Sequence, residues 1–130
     1  MPSPQSRKEE NYDALCEELL RERAAVLSRA GIAVEDAIAE LTKLDYEIQT
    51  RNEQLESLRR HKQVPDNLNQ QQALIEEINI TIDQFNTVRK KAQRKYYYLI
   101  VTREALGLRR HNMIQEIYGI PVKKKKMQAF

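Results

Sequence analysis

The residues in this chain that could do chemistry are few and lie far apart. His61 and His111 are the two histidines. A metal site needs several ligands within a few ångströms, and these two fall at opposite ends of the helical pattern. Cys16 is the one cysteine, so no intrachain disulfide or cysteine metal cluster can form. No histidine stands beside it to activate it, and its place near an apolar stripe reads as a small buried side chain. Glu9-Glu10 and Glu76-Glu77 pair carboxylates along the chain. Catalytic carboxylates need a concave site, and ordinary helix-face charge accounts for both pairs. There is no Gly-rich phosphate loop and no His-Glu-x-x-His. No catalytic residue, metal or cofactor is expected, and the chain reads as non-enzymatic.

Binding chemistry is better represented. Arg89-Lys-Lys-Ala-Gln-Arg-Lys-Tyr-Tyr-Tyr98 mixes cations with aromatics, a combination that binds phosphates and stacks bases. Lys90, Lys91, Arg94 and Lys95, with Lys123, Lys124, Lys125 and Lys126 of the lysine run, make a nucleic-acid interface the alternative reading. Contact with an acidic membrane surface would use the same groups. The net charge of +3 is modest for such a role, so a solvated or ion-pairing face is the preferred account. Arg23, Arg51, Arg89 and Arg103 recur along an apolar stripe, where long stems can cover apolar surface while the guanidinium groups reach water or a nearby Glu. Gly119-Ile-Pro-Val122 reads as a helix stop before a disordered tail, or as an extended docking peptide, since Pro121 holds the chain out of helix.

The elements that must position these groups are long helices. Only Gly31 and Pro65 interrupt the stretch from Gln5 to Leu106, and the helix formers Ala, Glu, Lys, Leu, Arg, Gln and Ile dominate. Leu20, Leu27, Val34, Leu41, Ile48 and Leu55 recur every seven residues. Arg23, Ala30, Ala37, Leu44, Arg51 and Leu58 stand three residues after each. Alternating steps of three and four define a coiled-coil seam. The heptad phase is the same on both sides of Gly31, so one helix is expected to run through it, weakened by about 1 kcal/mol relative to Ala. Pro65 breaks the pattern, and Asp66 or Asn67 can cap a second helix. Its seam runs through Leu68, Gln71, Ile75, Ile78, Ile82, Phe85, Arg89, Ala92, Tyr96, Leu99, Arg103 and Leu106. Gly107 suits a helix end, and Asn112 a cap for a short helix over Met113–Tyr118.

A short connection forces consecutive helices to be antiparallel neighbours. Partner positions then sum to a constant, here about 129–130. Leu55 meets Ile75, Ile48 meets Ile82, Leu44 meets Phe85, Ala37 meets Ala92, Val34 meets Tyr96 and Ala30 meets Leu99. The charges agree with this register. Residues 1–88 hold 17 acidic and 10 basic groups, whereas residues 89–130 hold 12 basic and 2 acidic. Glu35 should approach Arg94 and Lys95, and Glu40 should approach Lys90 and Lys91.

The expected fold is therefore all-α: a long antiparallel two-helix coiled-coil hairpin with its turn near residues 62–67 and a short C-terminal helix. Residues 1–7 read as a disordered lead, 8–118 as one hairpin domain and 119–130 as a basic tail. Apolar residues exceed what a two-stranded seam can cover, most of all around residues 15–27 and 97–118. Either the terminal helix folds over this end, or a second copy covers it as a homodimer in a helical bundle. Tyr97, Tyr98, Ile100, Val101, Leu108, Met113, Ile114 and Tyr118 form the expected protein-binding surface of an adaptor, chaperone-like factor or scaffold subunit. No apolar run is long enough to span a membrane. The single cysteine and the polar start favour a cytoplasmic setting.

Overall fold

A computed structural model of the chain describes residues 3–61 and 67–128. It contains three helices: α1 over Pro4–Arg60, α2 over Asn67–Ala105 and α3 over Asn112–Ile117. α1 and α2 pack against each other as a helical hairpin. The connection expected at residues 62–67 lies, except for Asn67, outside the described residues.

α1 runs unbroken through Gly31 for 57 residues, a length of about 85 Å. It starts earlier than expected, because residues 4–7 are helical rather than a disordered lead. The cause is local. Ser3 is an N-cap whose Oγ accepts a hydrogen bond from Ser6 N at 3.2 Å, and Pro4 sits where its missing N–H costs nothing.

The core is the expected seam. Ala30, Val34, Ala37, Leu41, Ile48 and Leu55 of α1 are buried against Ile75, Ile78, Ile82, Phe85, Ala92 and Leu99 of α2. Leu44 and Val88 pack beside the central cluster, and Tyr96 beside Val34. Leu55 and Ile75 share the central cluster, and Ala30 and Leu99 the second one, as the expected register requires. Two ends of the proposed seam fall outside it. Leu68 is exposed while its neighbour Asn67 is buried, and Leu20 is 65% exposed.

Asn67 explains the first of these. It does not cap the start of α2; its side-chain amide reaches back and donates to the backbone oxygens of Leu58, at 2.6 Å, and His61. Leu58 O also accepts from His61 N at 3.2 Å, so the Asn67 amide adds a second bond there and gives the His61 oxygen a side-chain partner. Gln71 Nε2 donates to Asn67 Oδ1 at 2.8 Å and fixes the arrangement.

At the other end, α2 stops in a Schellman turn. Gly107 adopts φ +87°, Gly107 N donates to Glu104 O and Leu108 N donates to Arg103 O. Only a residue without Cβ takes this conformation without strain. The chain then reverses and α3 folds back over the hairpin. Ile114 and Tyr118 pack on Ala30, Val34 and Leu99.

Candidate interaction surface

The register sets where the two arms stop overlapping. With partner positions summing to 129–130, Ala105 at the end of α2 lies level with residues 24–25 of α1. The preceding 20 or so residues of α1 project past α2 by about 30 Å. Tyr12, Leu15, Leu19 and Leu20 are exposed on this projection, and Cys16 beside them is half-buried. Spacings of three, four and seven put Tyr12, Leu15 and Leu19 on one helix face. The first arm thus carries the amphipathic pattern of a packed helix with no second helix against it.

The expected protein-binding residues divide in two. Tyr97 (70% exposed), Tyr98, Val101, Leu108 and Met113 (72% exposed) face outward at the same end of the hairpin. Ile100 is half-buried. Ile114 and Tyr118 point inward, because α3 uses them to cover the end of the seam. Tyr118 Oη donates to Glu35 Oε1 at 2.7 Å. That bond, partial burial and the carboxylate's charge all raise the phenol's pKa above its ordinary 10.0. Glu35 is thereby engaged by Tyr118 and not by the expected Arg94 and Lys95.

The basic residues also divide. Lys91 pairs with Glu40 at 3.8 Å, as the register requires. Lys124 pairs with Asp45 at 2.7 Å and Lys126 with Asp83 at 2.9 Å. Among the described residues, Lys90, Arg94, Lys95, Lys123 and Lys125 make no ion pair.

Two of the four seam arginines, Arg89 and Arg103, hold the chain's own C-terminal part. Arg103 donates to Arg110 O at 2.9 Å and to His111 Nδ1 at 3.3 Å. The His111 Nε2 lies 3.2 Å from Glu104 Oε1. Both ring nitrogens are thus used in bracing the reversal. Arg89 Nε donates to Pro121 O at 2.7 Å. Arg51 contacts Thr81 Oγ1 and lies 3.7 Å from Glu77. Arg23 is exposed on the projecting part of α1.

The segment after α3 is the largest departure from expectation. Residues 119–128 are not a disordered tail. They run along the hairpin, antiparallel to α2. Asn86 brackets Lys124, donating to its O and accepting from its N, both at 2.9 Å. Asn79 brackets Met127 in the same way at 3.0 and 2.7 Å. Ile120 and Met127 pack against the core from outside. Two asparagines seven residues apart on one helix face are the sequence signal for this site, and they stand among residues that otherwise read as solvent-facing.

Comparison with family models, curated proteins and solved structures gives no match to the chain.

The surface's own chemistry is therefore the guide to its role. No group of His, Cys, Asp and Glu among the described residues is placed to hold a metal ion. No described helix is long and apolar enough to cross a membrane. The arrangement offers an uncovered apolar stripe, an outward aromatic face with cations beside it, and a groove that holds an extended segment.

Proposed function

We propose that this protein is a non-enzymatic coiled-coil interaction protein, an adaptor, chaperone-like factor or assembly subunit of the cytoplasm, that binds a protein partner through the open end of its hairpin. One observation carries the reading: α1 continues about 20 residues beyond α2 with Tyr12, Leu15, Leu19 and Leu20 uncovered. An isolated helix of that length gains little from propensity and most from packing its apolar face. Contiguous exposed apolar surface is the usual mark of a binding site. Tyr97, Tyr98, Val101, Leu108 and Met113 add aromatic and flexible contacts of the kind enriched at interfaces. A partner helix and a second copy of the chain are both occupants of the right shape.

The test replaces Leu15 and Leu19 with Glu. These side chains touch no second helix, so the melting midpoint should stay within about 2 °C of wild type. Partner recovery from the native host, and any self-association seen by sedimentation, should fall together. Unchanged recovery and unchanged mass would remove the proposal.

The second reading is nucleic-acid binding, favoured by the unpaired Lys90, Arg94 and Lys95 beside exposed Tyr97 and Tyr98. Pairing of Lys91, Lys124 and Lys126 with Glu40, Asp45 and Asp83 weakens it. Binding to generic DNA or RNA that falls steeply with salt, and is lost when Lys90, Lys91, Arg94 and Lys95 become Gln, would favour it over the first.

A further inference from the structure

The groove between α1 and α2 that receives residues 119–128 is built as a peptide site. Its asparagines read backbone. Asn79 and Asn86 each donate to one carbonyl and accept from the N–H of the same residue. Seven residues of helix advance about 10.5 Å, and three residues of near-extended chain advance about 9–10 Å. That match lets successive asparagines meet every third residue of a guest. Nothing in this pairing depends on the guest's own side chains.

Side-chain recognition comes from charge. The Lys124 stem crosses the groove, with its Nζ 4.9 Å from the centre of the buried Phe85 ring and 2.7 Å from Asp45 on the opposite arm. Two residues on, Lys126 meets Asp83 at 2.9 Å. The groove therefore selects an extended segment with lysines at alternate positions.

The resident segment does not fill it. A cleft of about 360 Å³ remains among Ile38, Leu41, Phe85, Pro121 and Lys124, with Asp45 and Thr42 on its wall. Val122 borders this cleft yet is 80% exposed. A larger apolar side chain at that place would have an apolar floor to bury against. The hold on the segment is four part-buried asparagine bonds, two ion pairs and the apolar contacts of Ile120 and Met127, and individual hydrogen bonds and ion pairs contribute little net stability.

We infer that this groove is a binding site for an extended, lysine-bearing segment of a partner protein, of the form large apolar residue, any residue, Lys, any residue, Lys, and that residues 119–128 are its exchangeable occupant in the same chain. Main-chain bonds give the affinity and side-chain pockets the choice of guest, as in other recognition of extended peptides. The tethered segment competes at a high effective concentration, so it acts as a threshold that only a better-fitting guest passes. The groove and the open end of the hairpin are separate surfaces, and neither role depends on the other.

The experiment uses the full chain and a fluorescent peptide copied from Ile117–Gln128. Lys124→Glu with Lys126→Glu in the chain sets like charges against Asp45 and Asp83 and loosens its own segment. The peptide should bind this variant at least tenfold more tightly than it binds wild type. A peptide carrying Val122→Phe should bind about tenfold more tightly still, from the apolar surface it buries. Adding Asn79→Ala and Asn86→Ala to the chain should abolish both. Absence of peptide binding, or indifference to the asparagines, would overturn the inference. So would collapse of helicity in the loosened variant, since the segment would then be part of the fold. A second measurement needs no variant. In wild type the amide hydrogens of Lys124 and Met127 should exchange far sooner than those at the centre of α2; exchange in step with α2 would overturn it. A doubled mass in wild type that the Lys124→Glu, Lys126→Glu variant abolishes would assign the groove to a second copy's tail and overturn the choice of partner.

Discussion

Gly31 is a residue in α1 whose replacement should strengthen the molecule. It lies in mid-helix, where Gly costs about 1 kcal/mol relative to Ala. A Cβ built there would meet only Tyr118 Oη, at 3.7 Å, an ordinary contact. Gly31→Ala should therefore raise stability by about 1 kcal/mol, read from the urea midpoint with unchanged slope. Tyr118 itself gives a pH dependence. Its pKa is raised in the folded chain by its bond to Glu35, by burial and by the carboxylate's charge. The folded state then holds the phenol proton more tightly than the unfolded state, so stability falls where the unfolded phenol begins to ionise. The contribution is complete below pH 10.0, the ordinary value, and is lost as pH rises through the raised one. The gap in melting midpoint between wild type and Tyr118→Phe should be constant at pH values well below 10.0 and close as the pH rises above it.

At the scale of elements, the two arms are set by one tight layer. Ala37 and Ala92 are both almost fully buried in the central cluster, and the heptad register sets them opposite each other. Small meeting small lets the helices approach there, while Phe85 and Leu41 fill the wider layers beside it. Ala92→Leu would force the arms apart and should cost about 1–3 kcal/mol in chemical denaturation, with the helical signal of the native state retained. This level of organisation was written in the heptads. The period of the apolar residues, their constant pairing sum and the charge asymmetry together specify a hairpin, and Leu55, Ile48 and Ala37 are buried in one cluster with Ile75, Ile82 and Ala92, as Ala30 is with Leu99. Other elements were not legible from periodicity. The Ser3-Pro4 start relies on a single hydrogen bond rather than on a repeat. Asn67 displaced Leu68 because its amide hydrogen-bonds the Leu58 and His61 oxygens at the end of α1, which an apolar side chain cannot do. Residues 119–128 contain no repeat at all, and their place depends on α2 side chains some forty residues away in sequence. Long-range polar bracketing leaves no period to read. The candidate surface was half visible for the same reason: Tyr97, Tyr98, Val101, Leu108 and Met113 were placed outward, but which face of α3 turns inward is decided by the turn at Gly107.

At the scale of the whole molecule, the reversal at Gly107 has a consequence for where things can be attached. In a plain up-and-down hairpin, the first and last residues lie side by side. Here Ser3 caps the start of the projecting helix, whereas Met127 is fastened at Asn79, level with about residue 50 of α1. Some 47 residues of helix separate those levels, or about 70 Å. Dyes on Ser3 and Gln128 should accordingly show little energy transfer at a Förster distance of about 50 Å, and loosening the segment with Lys124→Glu and Lys126→Glu should raise it. A cargo joined at Gln128 would ride at mid-shaft, and one joined at Ser3 would ride at the start of the projecting helix. A single rod of this design therefore offers two mooring points at a fixed spacing, and release of the inner one would let its load swing towards the outer.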